Sequence, residues 1–179
     1  MNKSNIVFIA QSLDGYISGR NGGLEWLHSV PNPEHIDMGY SDFIAGMDAI
    51  VMGRITFETV CSFDIDWPYE IPVFVLSTTL KAAGKEFHDK AELMNGSPAE
   101  IVEKLNNRGY HRLYIDGGTT IQGFLKEDLI NEIIISTLPV LLGGGSRLFS
   151  LLPGELKFEH VDTRVFLNEI VQSHYKRKR

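Results

Sequence analysis

The chain has a single cysteine, Cys61. No intrachain disulfide can form and no cysteine-rich metal site can be built, so a reducing, cytoplasmic setting is expected. No apolar run approaches the ~18 residues that a membrane helix needs. The short run Ile6–Ala10, with Asp14 close behind, does not make a signal peptide. Basic charge is scarce: the formal net charge is −6, which speaks against non-specific nucleic-acid binding. The one strongly basic run, Lys176–Arg179, reads as a solvated tail. The histidines have no HExxH-like spacing, so no metal site is expected. GxxxxGK[ST], GxGxxG after a strand and GxSxG are all missing, and the P-loop, Rossmann and serine-hydrolase readings lose their fingerprints.

What is present is an ordinary globular composition over 179 residues, enough for one domain, 1–179, with a sizeable core. Buried strands are predicted at Ile6–Ala10, Ala49–Met52, Val73–Leu76, Leu113–Ile115 and within Glu132–Leu142, each a short apolar run rich in β-branched residues. Tyr16–Ser18 is a short extended piece before the glycines Gly19, Gly22 and Gly23, a flexible loop of the kind that covers active sites. Asn32-Pro33 reads as a helix start, with Ile36, Tyr40, Phe43, Ile44 and Met47 on one buried face. Ile55–Val60 is a short helix. Lys81–Asn95 is weakly patterned, a loop with a short strand. Ser97-Pro98-Ala99-Glu100 begins a further helix through a capping box, and Gly109 stops it. Phe158–Phe166 and Glu169–Tyr175 form an antiparallel hairpin around Leu167-Asn168. Alternating strands and helices followed by strands give an α/β fold. Its central sheet is mainly parallel, with helices on both faces and an antiparallel C-terminal hairpin.

The chemistry concentrates at turns that follow predicted central strands. In Leu113–Leu125 a strand runs into Asp116-Gly117-Gly118 and then a helix. Thr119 is placed to cap that helix with Gln122 closing a capping box. Bare glycine backbone before a helix N-terminus suits a phosphate, so a dinucleotide pyrophosphate is expected on Gly117–Ile121. Gly53 admits close backbone approach, and Arg54 is either a phosphate partner or a surface cation. Ser77 and Thr78 are either phosphate donors or turn residues. Together these turns line the carboxyl ends of the strands, where α/β sheets bind ligands. A phosphate-rich cofactor without a metal or nucleophile fits hydride transfer. Trp26 is either a plug at the core edge or a ligand wall.

The motifs have a family likeness. Met52–Glu58, MGRITFE, resembles the MGRxTWE segment of dihydrofolate reductases. Val75–Thr78 resembles their following VLS strand end, and Asp116-Gly117-Gly118 their glycine triplet, with Asp116 in place of its first glycine. Ala10–Gly15, AQSLDG, is similar to the SLDG opening of riboflavin-pathway reductases, the C-terminal domain of the bifunctional deaminase–reductase. Pro139–Phe149 resembles that group's P-x-x-x-G-x-G loop. The resemblance runs from about Ile6 to Tyr175 and implies a single dihydrofolate-reductase-like domain that binds NADPH.

It further implies that Ala10 and Ile17 meet the nicotinamide carboxamide, and that Gly53, Arg54 and Thr56 hold phosphates, Arg54 near the 2′-phosphate. Leu76, Ser77 and Thr78 would line the adenosine side. Gly117, Gly118, Thr119, Thr120 and Ile121 would cover the pyrophosphate. Asp14 and Asp37 are the candidate catalytic carboxylates. Trp26, Gly144 and Arg147 are the candidate substrate contacts, the Gly143–Arg147 loop being suited to a sugar phosphate or else structural. Asp116, beside the pyrophosphate, is expected to turn aside and bond backbone N–H groups.

The implied activity is that of a riboflavin-pathway reductase acting on a small ribosylamino-pyrimidine. The zinc deaminase signature is missing from the sequence. Reduction of dihydrofolate or another pterin is the alternative, and a non-catalytic NADPH-binding protein is the alternative of another class. The expected partners are a small-molecule substrate and a second copy of the chain, with neither nucleic acid nor membrane.

Overall fold

A computed structural model describes residues 3–79 and 89–179. The strands are Ser4–Ser12 (β1), Tyr16–Ser18 (β2), Ala49–Gly53 (β3), Val73–Leu76 (β4) and Ala91–Met94 (β5). Then come Arg112–Asp116 (β6), Glu132–Leu138 (β7), Ser146–Arg147 (β8), Phe158–Phe166 (β9) and Ile170–Arg177 (β10). The α-helices are Tyr40–Ala45 (α1), Arg54–Cys61 (α2), Pro98–Asn107 (α3) and Gly118–Lys126 (α4).

Among the described residues eight strands form one sheet in the order β5-β4-β3-β6-β1-β7-β10-β9, and β2 pairs with β8 separately. All pairs from β5 to β7 are parallel, while β10 runs antiparallel to β7 and to β9. Leu167 and Asn168 both take left-handed backbone angles at the hairpin tip, and the Glu169 N–H closes the turn on the Phe166 carbonyl. Alternate residues of each central strand feed two cores. Val7, Val51, Leu113 and Ile115 pack with Ile101 and Leu105 of α3 and Ile121, Phe124 and Leu125 of α4. On the other face Ile6, Ile50, Met52 and Tyr114 pack with Phe57 of α2 and with Tyr40, Phe43 and Ile44 of α1.

The chain leaves β1, skips a place to lay down β3, runs outward to β4 and β5, and returns with β6 into the gap between β3 and β1. That reversal opens a crevice at the carboxyl ends of β3 and β6.

One helix is shorter than its periodicity predicts. Residues 32–39 are not helical, and α1 begins only at Tyr40. The Asn32 side chain both donates to the Ile36 carbonyl and accepts from the Ile36 N–H, closing a local loop that competes with helix. His35, Met38 and Gly39 then take positive φ. Ile36 is consequently exposed. The weakly patterned stretch contains β5; its residues 81–88 lie outside the described ones.

Candidate active site

A cleft of about 1080 Å³ lies across the carboxyl ends of β4, β3, β6 and β1. Ala10, Ile17, Gly53, Arg54, Thr56, Leu76, Ser77, Thr78, Gly117, Gly118, Thr119 and Thr120 all line it. Ile121 does not; it is fully buried against the core of α3 and α4. The sequence marks a helix face there, and the inward side of that face is core.

Two helix N-termini open onto the cleft without side-chain caps. The N-cap of α2 is Gly53 and that of α4 is Gly117, and neither receives a capping hydrogen bond. The capping box expected at Thr119 and Gln122 does not form. The helix starts two residues earlier, with Gly117 at its N-cap position, and the Gln122 amide donates instead to the Arg147 and Leu148 carbonyls. By contrast α3 carries the expected box, Ser97 and Glu100 each bonding the other's backbone N–H.

Glycine lets the two uncapped ends meet. A Cβ on Gly117, at φ +88°, would lie 2.2 Å from the Thr56 hydroxyl, and one on Gly53 would lie 2.8 Å from the Thr120 hydroxyl. First-turn N–H groups have no acceptor within their own helix, and their dipoles favour an anion. The cleft therefore suits an elongated group bearing phosphates.

Among the described residues that line the cleft, Arg54 and Asp116 are the charged ones. Asp116 ends β6 at the point where the sheet reverses. Its Oδ1 accepts the Gly117 N–H at 2.8 Å, the backbone bond expected of it. Burial pushes its carboxyl up to about 6, against the pull of that N–H and of the Tyr114 hydroxyl. The Tyr114 hydroxyl donates to the Phe8 carbonyl at 3.0 Å. Burial and the neighbouring Asp116 push Tyr40 up to about 12 and raise Tyr69 and Tyr114 as well. Tyr69 lines the cleft beside Asp116. The sequence carries Asp116 as a replaced glycine. Its place beside Tyr40 and Tyr69 depends on residues distant in the chain and has no local motif.

The other carboxylates point elsewhere. Asp14 accepts the Ser12 hydroxyl at 2.6 Å and the Leu142 and Gly143 N–H groups at 3.1 and 2.7 Å. These bonds, Ser12's first, hold its carboxyl down at about 2, and it does not line the cleft. Asp37 is exposed before α1 and accepts the Gly39 and Ser41 N–H groups. Its bonds to Ser41 and Gly39 keep it below the usual carboxylate range. Neither holds a proton to give at neutral pH.

Trp26 is buried with Val30, Leu138 and Ile170, so it plugs the core edge, while its neighbours Leu24 and Leu27 line the cleft. Gly144 and Arg147 stand outside the lining. The Arg147 guanidinium lies over the Tyr16 ring, 4.7 Å from its centre. Among the described residues no group of metal-ligating side chains gathers, and no helix is long and apolar enough to cross a membrane.

Known proteins resemble this chain in sequence and fold. The chain is 32% identical to the uncharacterised protein YwjB of Bacillus subtilis, over 99% of each chain. It is 50% identical to a crystal structure from Shewanella sp. PV-4 named for riboflavin biosynthesis, with a TM-score of 0.96 over 98% of this chain and 99% of that one. The fold recurs in the deaminase/5-amino-6-(5-phosphoribosylamino)uracil reductase of Thermotoga maritima, at 15% identity and a TM-score of 0.76, over 99% of this chain and 57% of that one. It recurs again in an NADP(H) complex of Enterococcus faecalis dihydrofolate reductase, at 16% identity and a TM-score of 0.68, over 98% and 97%. These likenesses agree with the dihydrofolate-reductase-like fold read from the motifs. Residues 4–172 match the model of the RibD C-terminal domain, and the chain belongs to that family.

Proposed function

We propose that the cleft binds NADPH and that the chain is an oxidoreductase of the riboflavin-pathway type, passing a hydride to a small ribosylamino-pyrimidine. The observation that carries this reading is the pair of uncapped helix N-termini, α2 at Gly53 and α4 at Gly117, packed against each other on one cleft. Two such ends suit a diphosphate better than a single phosphate. The Thr56 and Thr120 hydroxyls stand between them, and Ser77 and Thr78 continue the wall toward the adenosine end. Ala10 and Ile17 form the opposite end, for the nicotinamide.

Reduced nicotinamide supplies the hydride when bound. The chain's own residues orient it and provide the balancing proton. We assign that proton to Asp116. It lines the cleft, and burial holds its proton to about pH 6, near the range where a general acid works. The aromatic and aliphatic wall of Tyr69, Phe63, Leu24 and Leu27 gives a flat heterocycle a place to pack. The pterin alternative is less well served by its candidate acid, since Asp37 precedes α1 and its oxygens face backbone N–H groups. The small-molecule site is accompanied, on the family analogy, by a homodimer and a cytoplasmic setting.

Titration with NADPH, followed by loss of the reduced-nicotinamide absorbance with a phosphoribosylamino-uracil and with dihydrofolate, tests the reading. No binding of NADPH at millimolar concentration overturns it. Binding without turnover of either substrate favours the non-catalytic alternative.

A further inference from the structure

We propose that Asp14 is a positioning residue for the nicotinamide end of the cofactor. It joins residues 12–23 and the glycine loop, residues 139–148, into one two-ply wall of the cleft. The proposal rests on the cofactor reading above.

One carboxylate ties both plies. Asp14 Oδ1 takes the Ser12 hydroxyl and the Leu142 N–H, and Oδ2 takes the Gly143 N–H. The Ser12 oxygen in turn accepts the Tyr16 N–H at 3.0 Å, which fixes the entry to β2. Further bonds run in parallel. The Leu13 N–H meets the Val140 carbonyl at 2.9 Å and the Leu148 N–H meets the Gly15 carbonyl at 3.0 Å. Tyr16 pairs with Arg147 and Ser18 with Ser146 across β2 and β8. Arg20 donates to the Gly143 carbonyl at 2.8 Å.

Gly145, at φ +134°, lets the plies touch: a Cβ there would fall 1.9 Å from the Ser18 carbonyl oxygen. Both arginines of this wall are engaged within it, Arg20 on a carbonyl and Arg147 on a ring. The glycine loop is therefore better suited to structure than to a sugar phosphate.

The wall reaches the cofactor from two directions. Ile17, Ser18, Asn21 and Gly22 of the first ply and Ser146 of the second line the cleft. Gln122 of α4 donates to the Arg147 and Leu148 carbonyls at 2.8 and 3.3 Å, so the second ply hangs from the helix that faces the pyrophosphate. Ile17 also presses on that helix start, where a Cβ on Gly118 would lie 2.7 Å from Ile17 Cδ1. The place of the nicotinamide is thus set by a carboxylate that touches neither cofactor nor substrate.

The test uses the full chain with Asp14→Ala, Asp14→Asn and the exposed Arg20→Ala. Affinity is measured for NADPH and for 2′,5′-ADP, a probe of the adenosine half alone, together with the fluorescence of bound NADPH. Asp14→Ala should weaken NADPH about tenfold and lose the fluorescence of the enclosed nicotinamide, because a misplaced wall forfeits orientation, while 2′,5′-ADP binds as before. Asp14→Asn, which keeps one acceptor, should recover part of the loss. Arg20→Ala, which cuts one outer tie, should weaken NADPH by a smaller factor, and it decides the matter alone if the Asp14 variants do not fold. Unchanged NADPH affinity and fluorescence in the folded variants overturn the proposal, as does an equal loss of 2′,5′-ADP binding. Failure of the unaltered chain to bind NADPH overturns the cofactor reading first and this proposal with it.

Discussion

The Arg54 guanidinium gives one nitrogen to both carboxylate oxygens of Glu58, at 2.9 and 2.8 Å. The two residues stand one helical turn apart on α2, each nearly half exposed. Such a pair adds little to stability, but it gives the cation a counterion before any phosphate arrives. A 2′-phosphate near Arg54 must share it with Glu58 or displace that carboxylate. Arg54→Ala should weaken NADPH about tenfold and NADH much less, since one charge-assisted contact is lost only with the phosphate. Glu58→Gln should shift selectivity the other way, toward NADPH. Paired titrations with the two cofactors check both. Equal losses for NADPH and NADH in Arg54→Ala would remove the 2′-phosphate role.

Asp116 should leave a signature in stability against pH. Its carboxyl titrates at about 6 in the fold and at its ordinary 3.8 in the unfolded chain. Between those values the folded state holds the proton and the unfolded state does not, so stability falls as pH rises through that window and levels off above it. Asp116→Asn should lack this fall. Thermal melts from pH 4 to pH 7, referred to the unaltered chain, measure the difference. Turnover should likewise decline as pH rises past about 6, and the variant should lose turnover at every pH.

Helix capping separates a structural N-terminus from a ligand-facing one. Ser97→Ala removes both the hydroxyl and the reciprocal box at α3, and should cost about 1 kcal/mol in denaturant melts. Thr119→Ala removes no cap, and should stay within about 0.5 kcal/mol. NADPH affinity should fall in neither by more than a small factor, because backbone N–H groups carry the phosphate contact.

Ile121 should behave as core. It is fully buried on the core-facing side of α4, so Ile121→Ala should destabilise the fold by about 2–5 kcal/mol. Molecules that remain folded should bind NADPH with unchanged affinity. A selective loss of NADPH binding without loss of stability would return Ile121 to the cleft wall.

Much of this architecture was legible because it is locally encoded. The apolar β-branched runs of β1, β3, β4, β6 and β7 announce parallel central strands, and Ser97-Pro98-Ala99-Glu100 announces α3 by a mechanism contained in four residues. The glycine and hydroxyl turns after β3, β4 and β6 marked the cleft because parallel strands put all their carboxyl ends on one edge.

The misreadings arose where a side chain had a choice of partner. Asn32 bonds Ile36 twice rather than capping a helix. Gln122 leaves its own N-terminus for carbonyls of the glycine loop. Asp14 and Asp37, the candidate catalytic carboxylates, accept backbone N–H groups from the fold or from the next turn, partners that spacing does not reveal. Spacing tells which residues share a face. It does not tell which of several acceptors wins when distant loops come together.

The place of β1 between β6 and β7 also has a kinetic side. Ser4–Ile6 pairs with Arg112–Tyr114, and Ile6–Ser12 pairs with Glu132–Leu138. On the ribosome the first strand must therefore wait for more than half of the chain before either neighbour exists. Long-range parallel pairing of this kind is slow, since the intervening loop must close before any contact repays it. Folding is expected to be late and concerted rather than stepwise from the N-terminus, with Ala10 and Asp116, on the neighbouring strands β1 and β6, brought together in the same event.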